Sequence, residues 1–71
     1  MTPTFLEIPL AELTQPRHGY TLVANRWWAT QNGNPVPCCH ADRDSMLEWA
    51  AARGLGVTFI PVAFWPGPIP S

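Results

Sequence analysis

The sequence predicts an α+β fold: a small antiparallel sheet of three to four strands, in the order strand, short helical turn, strand, strand, helix, strand, with one helix packed on one face. Three observations predict it. The stretch from Asp42 to Gly56 carries caps, charges and propensities that agree on a helix. An Asn32-Gly33 pair separates two strand-like runs, the strongest short-range signal of a two-residue hairpin turn. Seventy-one residues leave room for little more, because a chain of this size buries only about 60% of its unfolded surface.

In chain order, Thr4 to Ile8 reads as a short strand, with Phe5 and Leu6 bracketed by Pro3 and Pro9. Pro9 suits the first position of a short helix, and Leu10 to Leu13 supply one turn of it. Pro16 and Gly19 mark a loop, in which Arg17 and His18 read as solvated side chains.

Tyr20 to Gln31 is the strongest strand, rich in aromatic and β-branched residues. With Asn32 and Gly33 as the turn, Gln31 faces Asn34, Thr30 faces Pro35, Ala29 faces Val36, Trp28 faces Pro37 and Trp27 faces Cys38. Pro35 and Pro37 then fall on non-hydrogen-bonded positions, where their missing N–H groups point away from the partner strand. The strand from Asn34 to Cys39 is therefore expected at an edge. By the same register, one face carries Val23, Trp27, Ala29, Val36 and Cys38, and the other Leu22, Arg26, Trp28, Pro35 and Pro37. The first set is the more uniformly apolar, so the helix is expected to cover it. That places Trp27 inward and Trp28 outward.

The helix is argued residue by residue. Asp42, Asp44 and Ser45 are all good N-caps, and Ser45 with Glu48 has the spacing of a capping box. Acidic residues near the start and Arg53 in the last turn match the helix dipole. Ala50, Ala51 and Ala52 are strong formers. Gly54 is placed to take the left-handed conformation of a Schellman ending, with Leu55 folding back on Ala50 or Ala51. Met46, Trp49 and Ala50, with Leu47, Ala51 and Leu55 alongside, form its apolar stripe.

Val57 to Phe64 reads as a final strand that is apolar on both faces, which suggests a central position, whereas Pro61 argues for an edge or a break halfway. The organisation is one compact domain over residues 1–65 followed by a proline-rich tail over 66–71, extended and polyproline-like, lying over the otherwise bare outer face.

Composition excludes several classes of function. There is no lysine, the four cations are Arg17, Arg26, Arg43 and Arg53, and net charge is −1; this is no footprint for nucleic acid, which needs clustered cations on phosphates. No run is long enough to span a membrane, and the N-terminus has neither the basic region nor the apolar stretch of a signal peptide. A soluble, cytoplasmic chain is expected.

Cys38, Cys39 and His40 are the one cluster with catalytic or metal-ligating chemistry. A zinc site draws on spaced pairs of ligands rather than one crowded run. A thiolate before a helix start is an activated nucleophile in principle, yet no orienting third group is evident. The carboxylates are accounted for by capping. No enzyme activity, metal or cofactor is therefore expected.

What remains is aromatic surface. Arg26 and Trp28, two apart on one strand and beside the rigid Pro35 and Pro37, are of the types enriched in binding hot spots. They are the expected partner-binding residues. The function expected is a non-catalytic protein-binding module, an inhibitor or adaptor that modulates a larger host assembly, in the manner of phage proteins that disable transcription or CRISPR machinery. The alternative is a small thiol or metal protein using Cys38, Cys39 and His40. Self-association into a homodimer through the final strand is compatible with the first.

Overall fold

The computed structural model describes residues 5–70 and shows the expected α+β class. Its elements run α1 (Leu10–Leu13), β1 (Tyr20–Gln31), β2 (Asn34–His40), α2 (Arg43–Ala51) and β3 (Gly56–Pro66). The three strands form one antiparallel sheet in the order β2-β1-β3. Both β2 and β3 are thus edges, and Pro61 sits in an edge strand as its missing N–H requires.

The turn is the one the sequence encodes. Asn32 and Gly33 both have positive φ, at 55° and 81°, as a type I′ turn demands. Gln31 pairs with Asn34 and Thr30 with Pro35, as expected. Beyond that the register slips: Trp28 pairs with Cys39 and Trp27 with His40, so that Pro35 to Cys39 oppose only Thr30 to Trp28. The cause is local to Pro37, which has no N–H to give to a ladder, and the strand bulges around it.

The first strand-like run, of which Thr4 lies outside the described residues, forms no strand from Phe5 to Ile8. It lies beside β2, held by Ile8 N–H to the Pro35 carbonyl at 3.1 Å. Phe5 N–H donates to Gln31 Oε1, and the Asn32 and Asn34 side chains both donate to the Glu7 carboxylate. Prolines on the outer side of β2 offer carbonyls but no donors, so a ladder has no way to form there. Pro9 then caps α1 by accepting from Glu12 and Leu13, and this short turn drives Leu13 to 0% exposure.

At the centre of β1 the backbone departs from a regular strand. Asn25 has φ of 53°, and between the pairs Ala24–Val62 and Arg26–Ile60 it stands opposite Pro61. Burial reverses phase there in both strands: Val23 and Trp28 are buried with Ala24 and Asn25 exposed between them, and Ile60 and Ala63 are buried with Pro61 and Val62 exposed between them. Each strand spends one residue on the break, so the pairing is preserved while side-chain alternation inverts. Asn is one of the few residues other than glycine that adopts this conformation readily.

The inversion explains both cores. On one face Leu13, Val23, Trp28, Cys39, Ile60, Ala63 and Trp65 form a cluster with Ile8 against it. On the other, Ala29, Val36, Cys38 and Met46 cluster under α2, flanked by Phe5, Trp27, Trp49, Leu55 and Val57. The tail returns over the first face: Thr21 Oγ donates to the Gly67 carbonyl at 2.7 Å and the Cys39 thiol to that of Pro70 at 3.1 Å.

α2 begins at Asp42, whose carboxylate accepts from Ser45 N–H at 2.9 Å and Ser45 Oγ at 2.6 Å. It ends as expected, with Gly54 at φ 70°, Leu55 N–H on the Ala50 carbonyl and Gly54 N–H on that of Ala51, the bond pattern of a Schellman motif. Met46 and Ala50 are its buried residues. Trp49 is half-buried between Phe5 and the Arg53 guanidinium, which lies 4.0 Å from its ring. No helix among the described residues is long and apolar enough to cross a membrane.

Candidate interaction surface

The four residues expected at a partner site do not form an open surface. Trp28 is 0% exposed, Pro35 is buried, Arg26 is half-buried and only Pro37 is open. The outward placement of Trp28 is therefore corrected. Val23, expected beside Trp27, belongs to the core of Trp28, because the inversion at Asn25 carries the two strand halves to opposite faces. Trp27 does lie on the α2 side, half-buried against Phe59 and under Arg43.

Cys38, Cys39 and His40 are also dispersed. The two thiols enter different cores on opposite sides of the sheet, and His40 is exposed, its Nδ1 accepting from Asp42 N–H at 3.1 Å. Burial pushes both thiols above their ordinary range, opposed by Arg53 at Cys38 and by Arg26 at Cys39. A protonated, enclosed thiol is a poor nucleophile. Among the described residues, no three His, Cys, Asp or Glu side chains are placed to hold a metal ion. A shallow, open groove lies on the outer side of α2, lined by Ser45, Glu48, Trp49, Ala52 and Arg53.

The inversion creates a surface that a regular alternation hides. Cross-strand partners share a face, so Leu22 lies with Phe64 and Ala24 with Val62, on the side opposite the Val23, Ala63 and Trp65 core. Past the break the same side continues with the pair Trp27 and Phe59. α2 covers it only from there toward Ala29 and Val36. The remainder is open: Leu22 is 56% exposed, Val62 46% and Phe59 43%, with Phe64 half-buried among them.

This stretch of sheet is convex, since both strands bend toward the core of Trp28. It carries no charged side chain of its own, and it is ladder-paired on either side of the break at Asn25 and Pro61. Single exposed apolar residues are normal on any surface; a contiguous set on adjacent strands is a candidate contact site. The signals for it in the sequence are Asn25 and Pro61, one tolerant of positive φ and the other unable to pair, at matched positions of two strands. Compared with protein-family models, curated proteins and solved structures, the chain matches none.

Proposed function

We propose that the chain is a non-catalytic protein-binding module, an inhibitor or adaptor of a larger assembly, which docks through the convex face bearing Leu22, Val62 and Phe59. The observation that carries this reading is the exposure of three large apolar side chains on two paired strands, beyond the reach of the helix. Full burial of such a side chain is worth about 1.5–3 kcal/mol, and a face fixed by a ladder loses little entropy on binding. Chemistry at the thiols has no comparable support, since both are enclosed and neither meets a base.

The reading is tested by capture on the immobilised chain from lysate of the cell in which it acts. Leu22→Lys is expected to abolish retention of the partner, whereas Cys38→Ala with Cys39→Ala is expected to leave it. Loss with the cysteines and retention with Leu22→Lys would overturn the proposal.

A further inference from the structure

The tail from Gly67 to Pro70 lies across the side of the sheet opposite the convex face and is held there by its carbonyls. Thr21 Oγ donates to Gly67 and Cys39 Sγ to Pro70, one donor from β1 and one from β2. Among the described residues these are the tail's hydrogen bonds to the sheet, and no strand pairs with it. Gly67, Pro68 and Ile69 are exposed and Pro70 is half-buried. A third donor of the same side, Trp28 Nε1, is buried with no hydrogen-bond partner among the described residues, in the cluster that also holds Cys39 and Trp65. A buried donor left without an acceptor is destabilising. The chain's own tail therefore leaves this side one acceptor short.

We infer that this side, with Thr21, Trp28, Cys39 and Trp65, is a receptor for an extended proline-rich segment of a partner, and that the chain's own tail is the resident occupant which such a segment displaces. The occupant seated there defines the chemistry: it carries Pro66, Pro68 and Pro70 and is recognised through carbonyls alone. The face of a sheet, unlike its edge, presents no main-chain acceptors. An ordinary segment laid on it would bury N–H groups without partners, whereas proline has none to bury. The indoles of Trp28 and Trp65, 5.3 Å apart in the cluster under the tail, supply the aromatic lining that polyproline segments favour. A tethered tail competes at an effective concentration on the order of millimolar, so an incoming segment needs a contact that the tail does not make. An additional carbonyl for Trp28 Nε1 is that contact.

The test uses the full chain carrying Gly67→Val. Gly67 has open space around it but a φ of 96°, which a branched residue adopts only under strain, so the substitution unseats the tail and leaves the receptor side chains in place. Decaproline is the probe, and a Gly-Ser peptide of equal length, which keeps its N–H groups, is the control. Iodoacetamide labelling is read at each thiol by fragmentation mass spectrometry, and the indole N–H resonances by heteronuclear NMR. In the wild type both thiols are expected to be protected. In Gly67→Val, Cys39 is expected to lose protection while Cys38, under α2, keeps it. Saturating decaproline is expected to restore protection of Cys39 and to move the Trp28 indole N–H downfield, and the Gly-Ser peptide to do neither. Leu22→Lys added to this variant leaves these readings unchanged, so failure of the receptor and failure of the convex docking face are told apart. If Cys38 reacts as well, the fold is lost and Pro70→Lys, which brings a second cation toward Arg26 beside Cys39, serves as the opened chain. Cys39 protected in both variants, decaproline that fails to restore protection or leaves the Trp28 indole unmoved, or a Gly-Ser peptide with the same effect overturns the inference.

Discussion

The indole rings of Trp28 and Trp65 stand 5.3 Å apart, although Trp65 is paired across the ladder with Thr21, seven positions from Trp28. In a straight strand that offset is roughly 23 Å at about 3.3 Å per residue. The ribbon of β1 and β3 must therefore bend sharply, and the bend lies where Asn25 meets Pro61. It closes one core around the two indoles and turns the other face outward.

Trp28→Ala is accordingly expected to be far more damaging than Trp27→Ala. Removing a fully buried indole costs about 3–5 kcal/mol, a large share of the roughly 5–15 kcal/mol that holds a domain folded. Trp27 is half-buried and costs less. Urea unfolding of the two variants checks the order; a larger loss for Trp27→Ala would contradict the assignment of faces.

Asn25 is expected to tolerate glycine and to reject β-branched residues. At φ 53° a branched side chain incurs strain of about 1–3 kcal/mol, whereas glycine is unstrained there. Thermal melts of Asn25→Gly and Asn25→Val should separate accordingly, and equal melts would mean that the break does not depend on this residue.

These two positions also mark the limit of what is legible in the chain. Helix α2 with its Gly54 ending, the Asn32-Gly33 turn and the single helical turn after Pro9 all follow from local chemistry, and each is present. The faces of β1 do not follow, because alternation with period two inverts with one extra residue. Asn25 gives only a permissive signal for such a break and Pro61 an ambiguous one. The slip in β2 at Pro37 has the same character: proline marks where a ladder fails but not by how many residues the partner shifts. Arg26 and Trp28 both lie past Asn25 and keep one face with Pro35 across the hairpin; what the sequence does not show is that Leu13, Trp65 and the tail close over that face, and the open surface formed by Leu22, Val62 and Phe59 follows only from the break.

Both cysteines are expected to resist alkylation at neutral pH and to react only as the chain unfolds. Their folded values lie above the ordinary 9.0, chiefly through burial. The unfolded chain therefore loses these protons first as pH rises, and the stabilising contribution, full below the unfolded value, declines on the alkaline side. Replacement of both by alanine should flatten that alkaline decline. An undiminished slope would place its origin elsewhere.

The acid side carries the opposite sign. Hydrogen bonds from Ser45 Oγ and N–H hold the Asp42 carboxyl below its ordinary range. Its contribution is present at neutral pH and is lost as pH falls through the lowered folded value. Asp42→Asn keeps a capping oxygen without the titration, so melts of this variant should show a weaker loss in acid than the wild type. Identical acid limbs would contradict a role for this carboxylate.

The most direct test of the inverted alternation, on which the docking face depends, is thiol labelling of Ile60→Cys and Val62→Cys, each introduced with Cys38 and Cys39 replaced by alanine. In an unbroken strand these positions share a face and should label alike. The account predicts rapid labelling at position 62, which is open, and protection at position 60, which is 3% exposed. Equal rates at the two positions would contradict it.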